Sequence, residues 1–151
     1  NIFFHNRPKE LSKDNTNSID VILNFVKWHE KKYQKHLDGL LLLQPTTPYR
    51  SIKTFNKGFR LFKRKKKNVI GFSTYNQKKT LFIVEQKKLI KKKIFSVNGS
   101  FYLLNLKNIL KYKNIFKPDF LPLFEMNKAR SIDIDTIADF IEAKKYLKEK
   151  E

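Results

Sequence analysis

The chain reads as an α/β domain with a mainly parallel sheet between helix layers, and three observations carry that reading. Apolar runs alternate with helical periodicity in the order strand, helix, strand, helix, strand as far as Thr74. The unbroken Leu40 to Leu43 run has no polar alternation, as in strands covered on both faces. The proline-containing stretch Gln44 to Arg50 then follows at the carboxyl end of that strand, where open α/β sheets hold their ligands. At 151 residues, one domain is expected, long enough to bury a core.

Taken in order, Ile2-Phe3-Phe4 reads as a short first strand. Asp14 to Ser18 leads into a helix from about Ile19 to Lys35, with Ile19, Ile22, Leu23 and Val26 on its apolar side, and Asp38-Gly39 ends that unit. Leu40 to Leu43 is the next strand, and the prolines of the following loop bar helix at the residues before them. A second helix is expected from about Ile52 to Lys65 and a third strand over Asn68 to Thr74. Thr80 to Val84 and Leu89 to Val97 are candidate strands. Asn98-Gly99 signals a hairpin turn before Ser100 to Leu104. Leu106 to Tyr112 reads as a short helix, Leu121 to Met126 as a strand, and Ile134 to Lys148 contains the last helix.

The formal net charge is +19, from 33 Lys and Arg against 14 Asp and Glu, which raises nucleic-acid binding as a hypothesis. Arginine, the better residue for bidentate phosphate contacts, appears only at 7, 50, 60, 64 and 130. With so much Asn, Ile and Phe alongside, a solvated lysine coat accounts better for runs such as Arg64 to Lys67 and Lys91 to Lys93. Cysteine is absent, which excludes disulfides, thiolate metal sites and a cysteine nucleophile, and is compatible with a reducing cytoplasm. The longest strictly aliphatic run, Leu40 to Leu43, is far short of the roughly 18 residues of a membrane span.

The densest chemical signal is Ser-Ile-Asp-Ile-Asp at 131–135. In an extended segment alternate side chains share a face, so Asp133 and Asp135 point one way while Ile132 and Ile134 point into the core. Two carboxylates so placed suit Mg²⁺, which takes one or two of them together with substrate phosphates. The competing reading is that Asp135, followed by Thr136, simply N-caps the helix carrying Ile137, Phe140 and Ile141.

Four segments appear together in one order: Arg7-Pro8-Lys9-Glu10-Leu11-Ser12-Lys13-Asp14, Leu42-Leu43-Gln44-Pro45-Thr46-Thr47-Pro48-Tyr49-Arg50, Asn98-Gly99-Ser100-Phe101-Tyr102, and Ser131-Ile132-Asp133-Ile134-Asp135-Thr136 with Asp139-Phe140 and Ala143. In this order they resemble the acylneuraminate cytidylyltransferases, the CMP-sialic acid synthetases and their relatives. The resemblance implies a Rossmann-like nucleotidyltransferase that joins CMP from CTP to the anomeric hydroxyl of an acidic nine-carbon sugar and releases pyrophosphate. It further implies a catalytic metal, Mg²⁺ or Mn²⁺, on Asp133 and Asp135, and substrate contacts from Gln44, Arg50, Asn98 and Arg7. A cytoplasmic homodimer built on a β-hairpin insertion completes what it implies. For Gln44 the alternative is a buried amide tying down its loop, for Arg50 a loop clamp, for Asn98 the hairpin turn itself. His5, His29 and His36 have no matching role, and no general base is evident.

Two departures from the family pattern stand out. The family's basic glycine-containing loop, resembling Ala-Arg-x-Gly-Ser-Lys followed by Lys-Asn, has no counterpart in the 151 residues, so a fragment with little turnover by itself is expected. The stretch from Thr74 to Ser96 is shorter than its family equivalent and carries lysines 87, 88, 91, 92 and 93 instead of an Arg-Gln element. The identity of the acidic sugar is therefore left open. Rival readings are a nucleotidyltransferase for another sugar acid, a basic nucleic-acid-binding module, and a degenerate, non-catalytic relative.

Overall fold

In the computed structural model, the described residues are 2, 4–74, 82–85, 88–91, 95–117, 123–126 and 132–148. Helix α1 spans Ser18–Tyr33, strand β1 Gly39–Leu42, helix α2 Ile52–Lys65 and strand β2 Val69–Thr74. Then come strands β3 (Phe82–Glu85), β4 (Lys88–Lys91) and β5 (Phe95–Asn105), helix α3 (Leu106–Tyr112), strand β6 (Leu123–Glu125) and helix α4 (Ile137–Lys148). The expected α/β class holds, with helix and strand bounds close to the sequence reading.

The main sheet has four strands in the order β1-β5-β2-β6. Strand β5 pairs antiparallel with both β1 and β2, whereas β2 and β6 pair in parallel. Three strands thus share one direction, but the sheet is mixed rather than mainly parallel, because the long β5 runs back between β1 and β2. The Leu40 to Leu43 run is not buried on both faces either. Strand β1 is an edge strand with Leu40 and Leu42 turned to one core and Leu41 and Leu43 left exposed at 39% and 46%. An unbroken aliphatic run has no period, so it cannot report which faces are covered.

Alternation along the inner strands builds two cores. Ile70, Tyr102 and Leu104 face Ile19, Ile22 and Val26 of α1 together with Leu106, Ile109 and Ile115. Val69, Phe101 and Leu103 face the other way, toward Phe124, Met126 and the half-buried Phe55, Leu61 and Phe62 of α2. The sheet therefore lies between α1 with α3 on one side and α2 on the other. Gly58 of α2 lies against the ring of Phe101, close enough that an added Cβ would meet it at 2.9 Å. The cations of α2, Lys53, Lys57, Arg60, Lys63, Arg64 and Lys65, are all exposed, as a solvated coat requires.

Each helix is closed by a local device. The Asn17 side chain accepts from the Ile19 N–H, Ser51 from Thr54 and Asn105 from Asn108. Buried Asn68 joins three elements, donating to the Ile115 carbonyl at 3.0 Å and accepting from the Asn105 N–H at 2.9 Å.

Residues 2 and 4 are not strand, and their apolar side chains are both 90% exposed; Phe3 lies outside the described residues. Apolar character signals a strand only where a neighbouring strand offers a ladder. Here His5 instead docks the segment on α1, sharing a 3.1 Å hydrogen bond with Asn24 and packing on Trp28.

Asn98-Gly99 is not a hairpin turn, since β5 continues through it. The pairing with β2 jumps from Ile70↔Tyr102 to Phe72↔Val97, so residues 98–101 bulge opposite Gly71. Gly99 takes φ +67°, which is what the turn signal was reporting. The expected Leu89 to Val97 strand divides between β4 and β5, with residues 92–94 outside the described residues, as are Thr80, Leu81, Leu121 and Pro122. Strands β3 and β4 form a separate two-stranded antiparallel ladder. Among the described residues no helix is long and apolar enough to cross a membrane.

Candidate functional site

Three segments meet beyond the carboxyl end of β1, alongside the middle of β2. The Gln44 to Arg50 loop leaves β1, the β5 bulge lies alongside it, and residues 132–135 approach α4. A backbone hydrogen bond from Ile134 N–H to the Thr46 carbonyl, 2.9 Å, laces the third segment to the first. Ile132 is buried as expected and Ile134 is half-buried, which leaves Asp133 half-buried and Asp135 exposed.

Gly99 marks the centre. A Cβ built on it would lie 2.6 Å from Thr47 Oγ1, 2.7 Å from Gln44 Oε1 and 2.8 Å from Asp133 Oδ2. Three oxygens, two from the Gln44 to Arg50 loop and one from the 132–135 segment, therefore pack on one bare α-carbon of the bulge, and any side chain there would displace them. Thr47, fully buried, has its hydroxyl 3.2 Å from Asp133 Oδ1 and 3.4 Å from the Asn98 carbonyl.

Gln44 is oriented from two directions. The Tyr102 hydroxyl donates to Gln44 Oε1 at 3.4 Å. Burial, and secondarily the charge of Asp133, push the Tyr102 phenol above its ordinary pKa and keep it a donor. Asn98 is 3% exposed and its Oδ1 accepts the Ser100 N–H at 3.1 Å. That bond fixes the amide, and among the described residues Nδ2 is buried without a partner, as is Ser100 Oγ. An orphaned buried donor costs about 1–3 kcal/mol unless something accepts from it, so Asn98 Nδ2 marks a place for an acceptor.

Arg50 takes the clamp arrangement. Its Nε donates to the Ser100 carbonyl at 2.6 Å and its Nη2 to the Gln44 carbonyl, tying both ends of the loop to the bulge. Burial lowers its pKa from the ordinary value, the cost of holding a guanidinium there. Beside it lies a largely apolar pocket of about 230 Å³, walled by Leu41, Leu43, Ile52, Phe55 and Phe101. Tyr49 extends the lacing by donating to the Ala143 carbonyl of α4 at 3.0 Å.

The N-terminus of α4 is capped by Thr136 and Asp139, not by the Asp135 carboxylate. Asp139 N–H donates to Thr136 Oγ1 at 3.2 Å, while Asp139 Oδ2 accepts from Thr136 N–H at 2.8 Å, Thr136 Oγ1 at 2.7 Å and Asp135 N–H at 3.2 Å. These bonds, led by the Thr136 hydroxyl, hold the Asp139 carboxyl below its ordinary pKa.

The structure thus gathers Gln44, Asn98, Arg50 and Asp133, with Asp135 at the margin. Arg7 is elsewhere engaged, donating from Nε to Ser12 Oγ at 3.2 Å, and among the described residues no hydrogen bond joins it to this cluster. Thr47 and Tyr102 were not singled out as site residues by the sequence, although both lie inside motifs. The carboxylates of Asp133 and Asp135 offer oxygen donors, the kind that hard divalent ions prefer. Among the described residues no group of three or more His, Cys, Asp or Glu side chains converges, so an ion here would take one or two carboxylates and further oxygens from its ligands.

No protein-family model matches the chain. A curated relative, the CMP-N,N′-diacetyllegionaminic acid synthase of Legionella pneumophila, is 27% identical over 149 residues. The match covers 89% of this chain, and the chain spans 64% of that protein's length. The relative is a CMP-nonulosonic acid synthetase, in keeping with the resemblance carried by the four motifs.

Proposed function

We propose that the chain carries the sugar and metal half of a cytidylyltransferase site, which transfers CMP from CTP to an acidic nine-carbon sugar and releases pyrophosphate. The observation that carries this reading is the convergence of Gln44, Thr47 and Asp133 oxygens on the α-carbon of Gly99. It brings together three of the four motifs that resemble the family, and the Legionella relative is similar over most of the chain.

In this reading Asp133, assisted by Asp135, holds Mg²⁺ or Mn²⁺, and the ion supplies charge neutralisation at a triphosphate. The half-buried Asp133 has Oδ2 at the bulge, and Asp135 is exposed. The Gln44 amide nitrogen and Asn98 Nδ2 are donors for the sugar acid. Arg50 works by fixing the Gln44 carbonyl and the bulge, so its contribution to substrate binding is through loop shape. Arg7 belongs to the nucleotide side, beside a triphosphate-binding loop that the 151 residues do not contain. A homodimer through the β3–β4 ladder is part of the proposal.

The test is CTP consumption by this polypeptide joined to a family-type glycine-containing loop, over a panel of acidic sugars that includes N,N′-diacetyllegionaminic acid. Mg²⁺-dependent CMP-sugar and pyrophosphate in equal amounts support the proposal. A folded, loop-supplied protein that forms no CMP-sugar from any member of the panel contradicts it.

A further inference from the structure

We infer that Thr47 is the positioning residue for the Asp133 carboxylate, holding Oδ1 so that Oδ2 is the oxygen presented to a divalent cation. This rests on the proposed metal role of Asp133 and adds to it a residue that works through that carboxylate.

A threonine hydroxyl has one proton and faces two acceptors here, Asp133 Oδ1 at 3.2 Å and the Asn98 carbonyl at 3.4 Å. The carboxylate oxygen is the nearer of the two, so it takes the proton. Thr47 is fully buried. The other carboxylate oxygen, Oδ2, sits over Gly99, where the missing Cβ leaves room. A carboxylate rotates freely about its last bond unless one oxygen is held, and a cation gains from finding the second oxygen already oriented.

Thr47 is itself held. Its N–H donates to the Gln44 carbonyl at 3.3 Å, which also accepts from Arg50, and the adjacent Thr46 carbonyl accepts from Ile134 N–H at 2.9 Å. The hydroxyl is therefore a fixed point on the loop that carries Gln44, and it ties the orientation of Asp133 to the residue proposed to hold the sugar.

Binding of Mn²⁺, followed by the electron paramagnetic resonance of the free ion with and without CTP, tests this without any turnover. Thr47→Val, nearly isosteric but without the hydroxyl, is expected to weaken Mn²⁺ binding about 10-fold or more. Thr47→Ser, which keeps the hydroxyl, is expected to bind like the parent. Parent-like Mn²⁺ affinity in Thr47→Val overturns the inference. If the valine variant does not fold, Thr47→Ala against Thr47→Ser makes the same comparison: a loss confined to alanine supports the inference, and equal affinities overturn it. Asp133→Asn separates the two layers. If it abolishes binding while Thr47→Val does not, only the positioning role falls; if it binds Mn²⁺ like the parent, the metal reading falls and takes this inference with it.

Discussion

The Thr47 hydroxyl lies 3.2 Å from Asp133 Oδ1, although 86 positions separate the two residues in the chain. That one bond joins the loop after β1 to the segment before α4, and everything else in the site is arranged around it. The bulge of β5 supplies the floor, Gly99 the clearance, and Arg50 and Tyr102 the restraints on Gln44.

Gly99→Ala should damage both fold and site. At φ +67° an alanine carries about 1–2 kcal/mol of left-handed strain, and its Cβ would collide with all three oxygens. A lowered thermal midpoint together with weakened Mn²⁺ binding is expected. A midpoint like the parent's would mean that the bulge is not held as described.

Arg50→Lys should behave as a loss rather than a conservative exchange. A single ammonium cannot reach the Ser100 and Gln44 carbonyls with the fixed fork of a guanidinium. Loss of one charge-assisted bond costs about 1.5–3 kcal/mol, to be read from urea unfolding. Limited proteolysis should then cut first within the Gln44 to Arg50 loop.

Thr136→Ala should cost about 1 kcal/mol by removing the α4 cap. The Asp139 carboxyl is held below its ordinary pKa, so it adds stability that is present above the unfolded-state value and lost as pH falls through the folded-state value. Acid titration of stability should thus be shallower in Asp139→Asn than in the parent, most visibly below the ordinary carboxyl value of 3.8.

Tyr102 shifts in the opposite sense. Its raised pKa gives stability that is full below the ordinary value of 10.0 and lost as pH rises through the folded-state value. Tyrosinate absorbance, taken as the difference between parent and Tyr102→Phe, should show a late-titrating phenol. Asp133→Asn should bring that titration earlier, because the Asp133 charge is one of its two causes. An unmoved titration would place Asp133 too far from the phenol to matter.

Much of the fold was legible because helices announce themselves by period. Ile19, Ile22 and Val26 gave α1, and Leu106 with Ile109 gave α3, with bounds that shifted by a residue or two. The sheet was harder, since strand order depends on pairing between distant residues. Nothing local in Phe95 to Asn105 says that this strand runs between β1 and β2. The Asn98-Gly99 pair announced a positive φ correctly and a turn wrongly, because a bulge and a hairpin ask the same thing of glycine. In the site, Gln44, Asn98 and Asp133 were legible through motif resemblance. Thr47 was not, because a threonine between prolines looks like a loop spacer until the fold shows that it is buried against a carboxylate. Arg7 was read into the site by motif, but its guanidinium serves Ser12 in the present arrangement.

The most direct test of the account is the Mg²⁺ dependence of CMP-sugar formation by the loop-supplied protein, compared between the parent and Asp133→Asn. The account predicts Mg²⁺-dependent product in the parent and a loss of at least about 100-fold in the variant, as expected when a charge-neutralising metal is removed from phosphoryl chemistry. Equal rates and equal Mg²⁺ dependence in the two proteins would contradict it.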